Sequence, residues 1–335
     1  ISDIKSFDIA AKRALMMKIP IITIKSGKTK ASAKIALSHT SSLTGSDELY
    51  NALFERLGIA RVETVPEFLE TLKLINVLGV IEHGGVASMS CSRGEAGMMA
   101  DLIDGLEINF PSLSSSHKAK VKQTLNDYVE VDNPLDYHTF IWGDRKRTSE
   151  CFSAMMSGQF AATMLLLDWP KSKESEQKDW DATLFALSDA LSGTNEKAIV
   201  LASMADCMPK RIIEECLSLG IAPMVGLDVC LKALNHSYKI GRAFSSNSSP
   251  DLEVLRNSSE HKSKQQLTEY QGKQLLKKYG VTIPMGCLVE NATEAIKAAE
   301  EISFPVTLKV SGAKLAHKTE LNGVRLNIQN VKTLK

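Results

Sequence analysis

Short apolar runs alternate with amphipathic stretches along most of this chain. Apolar residues recur at helical spacing over Phe7–Met17, Asp47–Leu57 and Pro66–Leu78, with Ile19–Ile24 a short apolar strand candidate after the first. Ser46 precedes the second of these helices and Gly58 closes it. From residue 86 the alternation becomes regular. Val86–Ser90, Ala162–Leu167, Ala198–Ala202 and Ala222–Val225 read as strands, and Glu95–Leu106, Trp180–Leu191, Lys210–Leu219 and Val229–Arg242 read as helices. Short apolar strands between helices of ten or so residues predict βαβ units and a parallel sheet covered on both faces. Ligands of such sheets gather at the carboxyl ends of the strands.

The pattern then breaks. Ser245–Lys264, SSNSSPDLEVLRNSSEHKSK, is polar and reads as a linker. After it, Thr268 and Gln271 form a T-x-x-Q capping box for a helix ending near Tyr279, with Gly280 as its stop. Thr293–Ile302 is a second helix, and Val306–Val310 and Val324–Ile328 are strands.

Composition narrows the class without changing this outline. With 44% hydrophobic and 24% charged residues in 335, the chain is neither disordered nor collagen-like, and its length fits two or three domains. Forty basic residues against thirty-nine acidic ones give a net charge of +1, which is no footprint for nucleic acid. Six cysteines without C-x-x-C spacing are expected to be reduced thiols, not a disulfide framework or a zinc site. No apolar run has the length of a membrane span and no signal peptide opens the chain, so a cytoplasmic location is expected. The first residue is Ile1, in mid-pattern, so the chain is expected to be an internal fragment of a longer polypeptide.

Two motifs compete for a chemical role near the start. Gly27-Lys28-Thr29 has the ending of a phosphate loop, G-x-x-x-x-G-K-[ST], but Ile22 stands where its first glycine is required. That reading is rejected. Ser38-His39-Thr40-Ser41-Ser42-Leu43-Thr44-Gly45-Ser46-Asp47 places one histidine among hydroxyl residues, just before a helix start whose free N–H groups suit an anion. A lone histidine is more often a hydrogen-bonded surface residue. Beside an anion site it can also accept a phosphoryl group and pass it on.

These residues carry a resemblance. Residues 20–75 are similar to the histidine-loop region of the NDP-forming acyl-CoA synthetases, a superfamily that includes ADP-forming acetyl-CoA synthetase and, more distantly, succinyl-CoA synthetase. The family pattern is matched at Lys25, Gly27, Ser38, His39, Thr40, Leu43, Gly45, Ser46 and Asp47, with Ser41 where glycine is usual. Residues 87–101, ASMSCSRGEAGMMAD, resemble the glycine-rich turn of the second ligase domain, with Arg93 in one glycine place. Asn133-Pro134-Leu135-Asp136 matches an N-P-x-D turn, where a structural role is the better reading. The last seventy residues resemble the opening of an ATP-grasp domain through Phe304-Pro305-Val306, Lys309, His317-Lys318-Thr319 and Gly323-Val324.

The resemblance implies an α/β protein: doubly wound, flavodoxin-like parallel-sheet ligase domains followed by the start of an ATP-grasp domain. Its implied boundaries are 1–78 for the C-terminal part of a first ligase domain, 79–244 for a second, 245–264 for the linker and 265–335 for the ATP-grasp portion. The implied reaction joins a carboxylic acid, acetate by default, to coenzyme A with ATP, giving acyl-CoA, ADP and phosphate through acyl phosphate and phosphohistidine. His39 is then the nucleophile. Ser38, Thr40, Gly45 and Ser46, with Gly94 and Glu95, hold phosphate, although an ordinary βα turn explains the last two equally well. Lys309, His317 and Lys318 hold ATP, and Asp136 and His138 are weaker site candidates. Mg²⁺ is implied with ligands outside this chain. The partners implied are the acid, coenzyme A and ATP, with a homo-oligomer or fused or partner subunits, and no membrane or nucleic acid. The chain alone is expected to be inactive. The rival readings are a non-catalytic sensor or acyltransferase on degenerate synthetase domains, or a synthetase for a less common acid. A dinucleotide-dependent oxidoreductase ranks low, because no G-x-G-x-x-G opens a helix.

Overall fold

The structure, a computed structural model, describes residues 1, 3–32, 35, 46–171, 173, 176–246, 267–311 and 323–334. The chain divides into two compact units, Ile1–Val254 and Leu255–Lys335.

The first unit opens with α1 (Ile4–Met16), β1 (Ile22–Ile24), α2 (Asp47–Arg56), β2 (Ala60–Val62) and α3 (Val65–Leu78). Asp3 caps α1 by accepting from the Ser6 N–H, and Thr64 caps α3 by accepting from the Glu67 N–H. β1 and β2 pair in parallel, Ile22 opposite Ala60 and Ile24 opposite Val62. β2 does not stand out in the sequence.

A five-stranded parallel sheet follows. Its elements in chain order are β3 (Ala87–Ser90), α4 (Arg93–Leu102), α5 (Ser115–Lys122), β4 (Leu135–Asp136), α6 (Arg145–Met156), β5 (Thr163–Leu166), α7 (Lys178–Leu191), β6 (Ala198–Ala202), α8 (Lys210–Ser218), β7 (Ala222–Val225) and α9 (Leu227–Ser245). The spatial order is β4-β3-β5-β6-β7, the 2-1-3-4-5 order of a flavodoxin-like sheet. Every pairing in it is parallel.

Both faces are covered, and the central strands β3, β5 and β6 are buried throughout. On one face Met89, Leu165 and Val200 pack against Phe152 and Met155 of α6, Leu184 and Leu187 of α7 and Ile212 of α8. On the other, Met164, Ile199, Leu201 and Met224 pack against Leu74 of α3, Met99 of α4 and Leu231 and Leu234 of α9. Cys151, Cys216 and Cys230 lie in these cores as buried free thiols.

α9 also carries polar residues inward. The Ile81 N–H donates to Ser237 Oγ at 3.1 Å and the Glu107 N–H donates to Asn235 Oδ1 at 2.8 Å. One turn from Ser237, a Cβ on Gly241 would lie 2.1 Å from the Ile81 carbonyl oxygen, so only glycine fits.

The second unit contains α10 (Glu269–Lys278), α11 (Ala292–Ile302), β8 (Val306–Lys309), β9 (Val324–Ile328) and the short α12 (Val331–Leu334), with β8 and β9 antiparallel. The expected Thr268–Gln271 capping box is present. Among the described residues, no helix is long and apolar enough to cross a membrane.

Candidate active-site regions

Ser38, His39, Thr40 and Gly45 lie outside the described residues, as do His317 and Lys318. What the structure gives is the frame around them. Ser46 is the N-cap residue of α2, but no N–H bonds to its side chain; its hydroxyl donates to Glu48. The next residue, Asp47, is held from two sides. Arg61 on β2 donates to both carboxylate oxygens at 3.0 and 2.8 Å, and Lys25, after β1, donates to Oδ1 at 3.1 Å. The Lys25 ammonium also sits 4.6 Å from the centre of the Tyr50 ring. The Arg61 guanidinium, more than Lys25, holds the Asp47 carboxyl below its ordinary value of 3.8. Residues on either side of the S-H-T run are thus tied by one carboxylate. Lys25 and Asp47 stand in the sequence motif; nothing in the sequence pointed to Arg61.

Gly94, Glu95, Asp136 and His138 come together at the carboxyl edge of the large sheet. After β3 the chain turns toward β4 and after β5 toward β6, so the switch point falls between the ends of β3 and β5. Ser92 caps α4 there, with the Glu95 N–H 3.4 Å from its hydroxyl. The Glu95 carboxyl is raised from its ordinary 4.5, first by burial and then by the charges of Asp168 and Asp136. Asp136, ending β4, accepts the His138 N–H at 3.0 Å on Oδ1, while His138 Nε2 and Arg93 Nε lie 3.2 and 4.0 Å from Oδ2. His138 takes a left-handed backbone, φ 57°, which folds its ring back over Asp136. Asp168, following β5, accepts the Ser203 N–H at 2.7 Å and also the Ser203 hydroxyl, joining the ends of β5 and β6. Glu95, in the first turn of α4, thus lies within electrostatic reach of Asp168 and Asp136. The Glu95 N–H is engaged by Ser92, so Gly94 and Glu95 offer a phosphate less than the sequence implied. The convergence of Glu95 with Asp136 and Asp168 was not legible before folding, since the three lie on separate loops.

Asn133 serves the frame. Its Oδ1 accepts the Ser88 N–H at 3.2 Å, and its Nδ2 donates to the Val86 and Pro111 carbonyls at 2.9 and 3.3 Å. Asn133, which opens the N-P-x-D turn, thus ties three backbone groups together.

In the second unit Lys309 ends β8 with its ammonium 2.8 Å from Glu269 Oε1. Lys273 donates to the same oxygen at 2.9 Å. These two lysines hold the Glu269 carboxyl down at about 2.

The strand order of the large sheet is that of a flavodoxin-like fold. A family model for the succinyl-CoA ligase-like flavodoxin domain matches residues 1–75, and one for the ATP-grasp domain matches residues 258–335. The 4-hydroxybutyrate–CoA ligase [ADP-forming] of Nitrosopumilus maritimus is 26% identical over 94% of this chain and 45% of its own length. The acetate–CoA ligase [ADP-forming] I of Archaeoglobus fulgidus is 25% identical over 98% of this chain and 47% of its own. Among solved structures, the dinucleotide-forming acetyl-coenzyme A synthetase 1 of Ca. Korarchaeum cryptofilum, in complex with phosphate and ADP, matches with TM-score 0.58. It is 19% identical and covers 71% of this chain and 50% of that one, a likeness of fold. These matches support the ADP-forming acyl-CoA synthetase superfamily as the group this chain is similar to. It spans just under half the length of the curated relatives it matches.

Proposed function

We propose that the protein ligates a carboxylic acid to coenzyme A at the expense of ATP, with His39 carrying the phosphoryl group. In the direction of synthesis an imidazole nitrogen of His39 attacks the γ-phosphorus and ADP leaves. The carboxylate oxygen of the acid then takes the phosphoryl group from His39, giving acyl phosphate. The coenzyme A thiolate attacks the acyl carbon and phosphate departs. Such a relay depends on positioning and charge more than on further covalent chemistry.

The observation that carries this reading is the Lys25–Asp47–Arg61 clamp. It fixes the base of the segment bearing Ser38, His39, Thr40 and Gly45, and sets Ser46 and the start of α2 in a constant place. Lys309 is the ATP-phosphate residue of the second unit, with His317 and Lys318 as further ATP contacts. Asp136 and His138, with Gly94 and Glu95, line the second ligase edge. Among the described residues no group of three or more His, Cys, Asp or Glu is gathered to hold a metal ion, so no residue is assigned to Mg²⁺.

Acetate is the default acid, and 4-hydroxybutyrate is the alternative that a relative's name supplies. The location is cytoplasmic, and the protein works as a homo-oligomer or with fused or partner subunits. Full-length protein given ATP, coenzyme A and a panel of acids should release ADP over many turnovers only with an accepted acid, and about one equivalent per site without one; His39→Ala should lower the rate at least about a thousandfold. Continuous ADP turnover independent of any acid, or an undiminished His39→Ala, would contradict the assignment.

A further inference from the structure

Lys273 and Lys309 come from different elements, one from the second turn of α10 and one from the end of β8, yet both donate to Glu269 Oε1. An i,i+4 pair such as Glu269–Lys273 is ordinary on a helix surface. The arrival of Lys309, forty residues on, at the same atom is what distinguishes the cluster. Both ammonium groups thus sit within hydrogen-bonding distance of one oxyanion. The acceptor is itself fixed, because Glu269 is the first residue of α10 and the reciprocal Thr268–Gln271 box locks that helix start. The three side chains are 36–39% exposed, so a solute anion can reach them. Two cations against one carboxylate leave a positive excess, and a phosphate oxygen makes the same charge-assisted bonds as the carboxylate oxygen it would replace. With its carboxyl at about 2, Glu269 is ionised throughout the neutral range and cannot be relieved by protonation.

We propose that Lys273 is a second phosphate-binding lysine of the nucleotide site, and that Glu269 is the counter-ion of Lys273 and Lys309 in the unliganded protein, occupying both and yielding them to the nucleotide's phosphates. The proposal rests on Lys309 being an ATP ligand, as put forward above. Glu269 then competes with the phosphates for both lysines, so removing its charge tightens nucleotide binding. A carboxylate with only a structural role would, on neutralisation, leave binding unchanged or weaken it.

The test is calorimetric titration of ADP into the full-length protein and its Lys309→Ala, Lys273→Ala, Lys273→Arg and Glu269→Gln variants, with the unliganded melting temperature of each. Lys273→Ala should weaken ADP about tenfold, Lys273→Arg should restore most of that loss, and Glu269→Gln should tighten ADP about threefold. Weakening by Lys309→Ala with no change from Lys273→Ala, or with no tightening from Glu269→Gln, would overturn the proposal and leave Lys309 in its role. An unchanged affinity in Lys309→Ala would overturn the nucleotide reading itself. Should Lys273→Ala prove too unstable to titrate, the sign of the Glu269→Gln change decides.

Discussion

Two carboxylates respond to folding in opposite ways, and each gives a measurable pH dependence. Glu95 is raised by burial and by Asp168 and Asp136, so its contribution to stability is present below 4.5 and is lost as pH rises through its folded value. Above that value the ionised group is a standing penalty. Glu95→Gln should therefore raise Tm by about 2 °C at pH 7 and by nothing near pH 4, read by calorimetry across that range. Asp47 is lowered by Arg61 and Lys25, so its contribution is present above 3.8 and is lost as pH falls through its folded value. Asp47→Asn should lower Tm by about 3 °C at pH 7, and the difference should shrink as pH approaches 3. A pH-independent effect of either substitution would mean that packing, not charge, is what these residues supply.

Among the elements, the strands buried on both faces were the most legible. Ala198–Ala202 and Ala222–Val225, and also the largely exposed Val324–Ile328, have the bounds the sequence predicts. The first two are continuous apolar segments with no alternative partner pattern. Of the elements the sequence did not reveal, α5 and α12 among them, three were hidden for identifiable physical reasons. β4 is two residues long and pairs only through Met89–Leu135 and Ser90–Asp136, so it has no run to detect. β2 is three residues after a helix stop. α6 opens Arg-Lys-Arg and buries Thr148, Cys151 and Ala154 beside Phe152, which blurs its apolar period. The site followed the same rule. The S-H-T run and the Lys309 strand end are local in sequence, whereas the Glu95–Asp136–Asp168 convergence exists only once β3, β4 and β5 lie side by side. Frame residues of this kind are costly to lose. Asn133→Ala strips three backbone groups near β3 of their partner and should cost about 2–4 kcal/mol in urea unfolding. Gly241→Ala should cost about 2–4 kcal/mol, because its methyl would meet the Ile81 carbonyl; an unaltered midpoint would mean that α9 can shift freely.

At the scale of the whole molecule, two compact units divide the residues of the proposed chemistry. The first holds the doubly wound sheet, the clamp at the base of the S-H-T segment and the carboxylate-lined switch point; the second holds the two-lysine cluster on Glu269. The relay links them only if His39 takes a phosphoryl group from ATP. The most direct measurement is therefore to incubate the full-length protein with γ-labelled ATP and map the modified residue. The account predicts acid-labile, base-stable label on His39, discharged by ADP or by an accepted acid, and absent from His39→Ala. Label that survives in His39→Ala, or that maps to another residue, would contradict it.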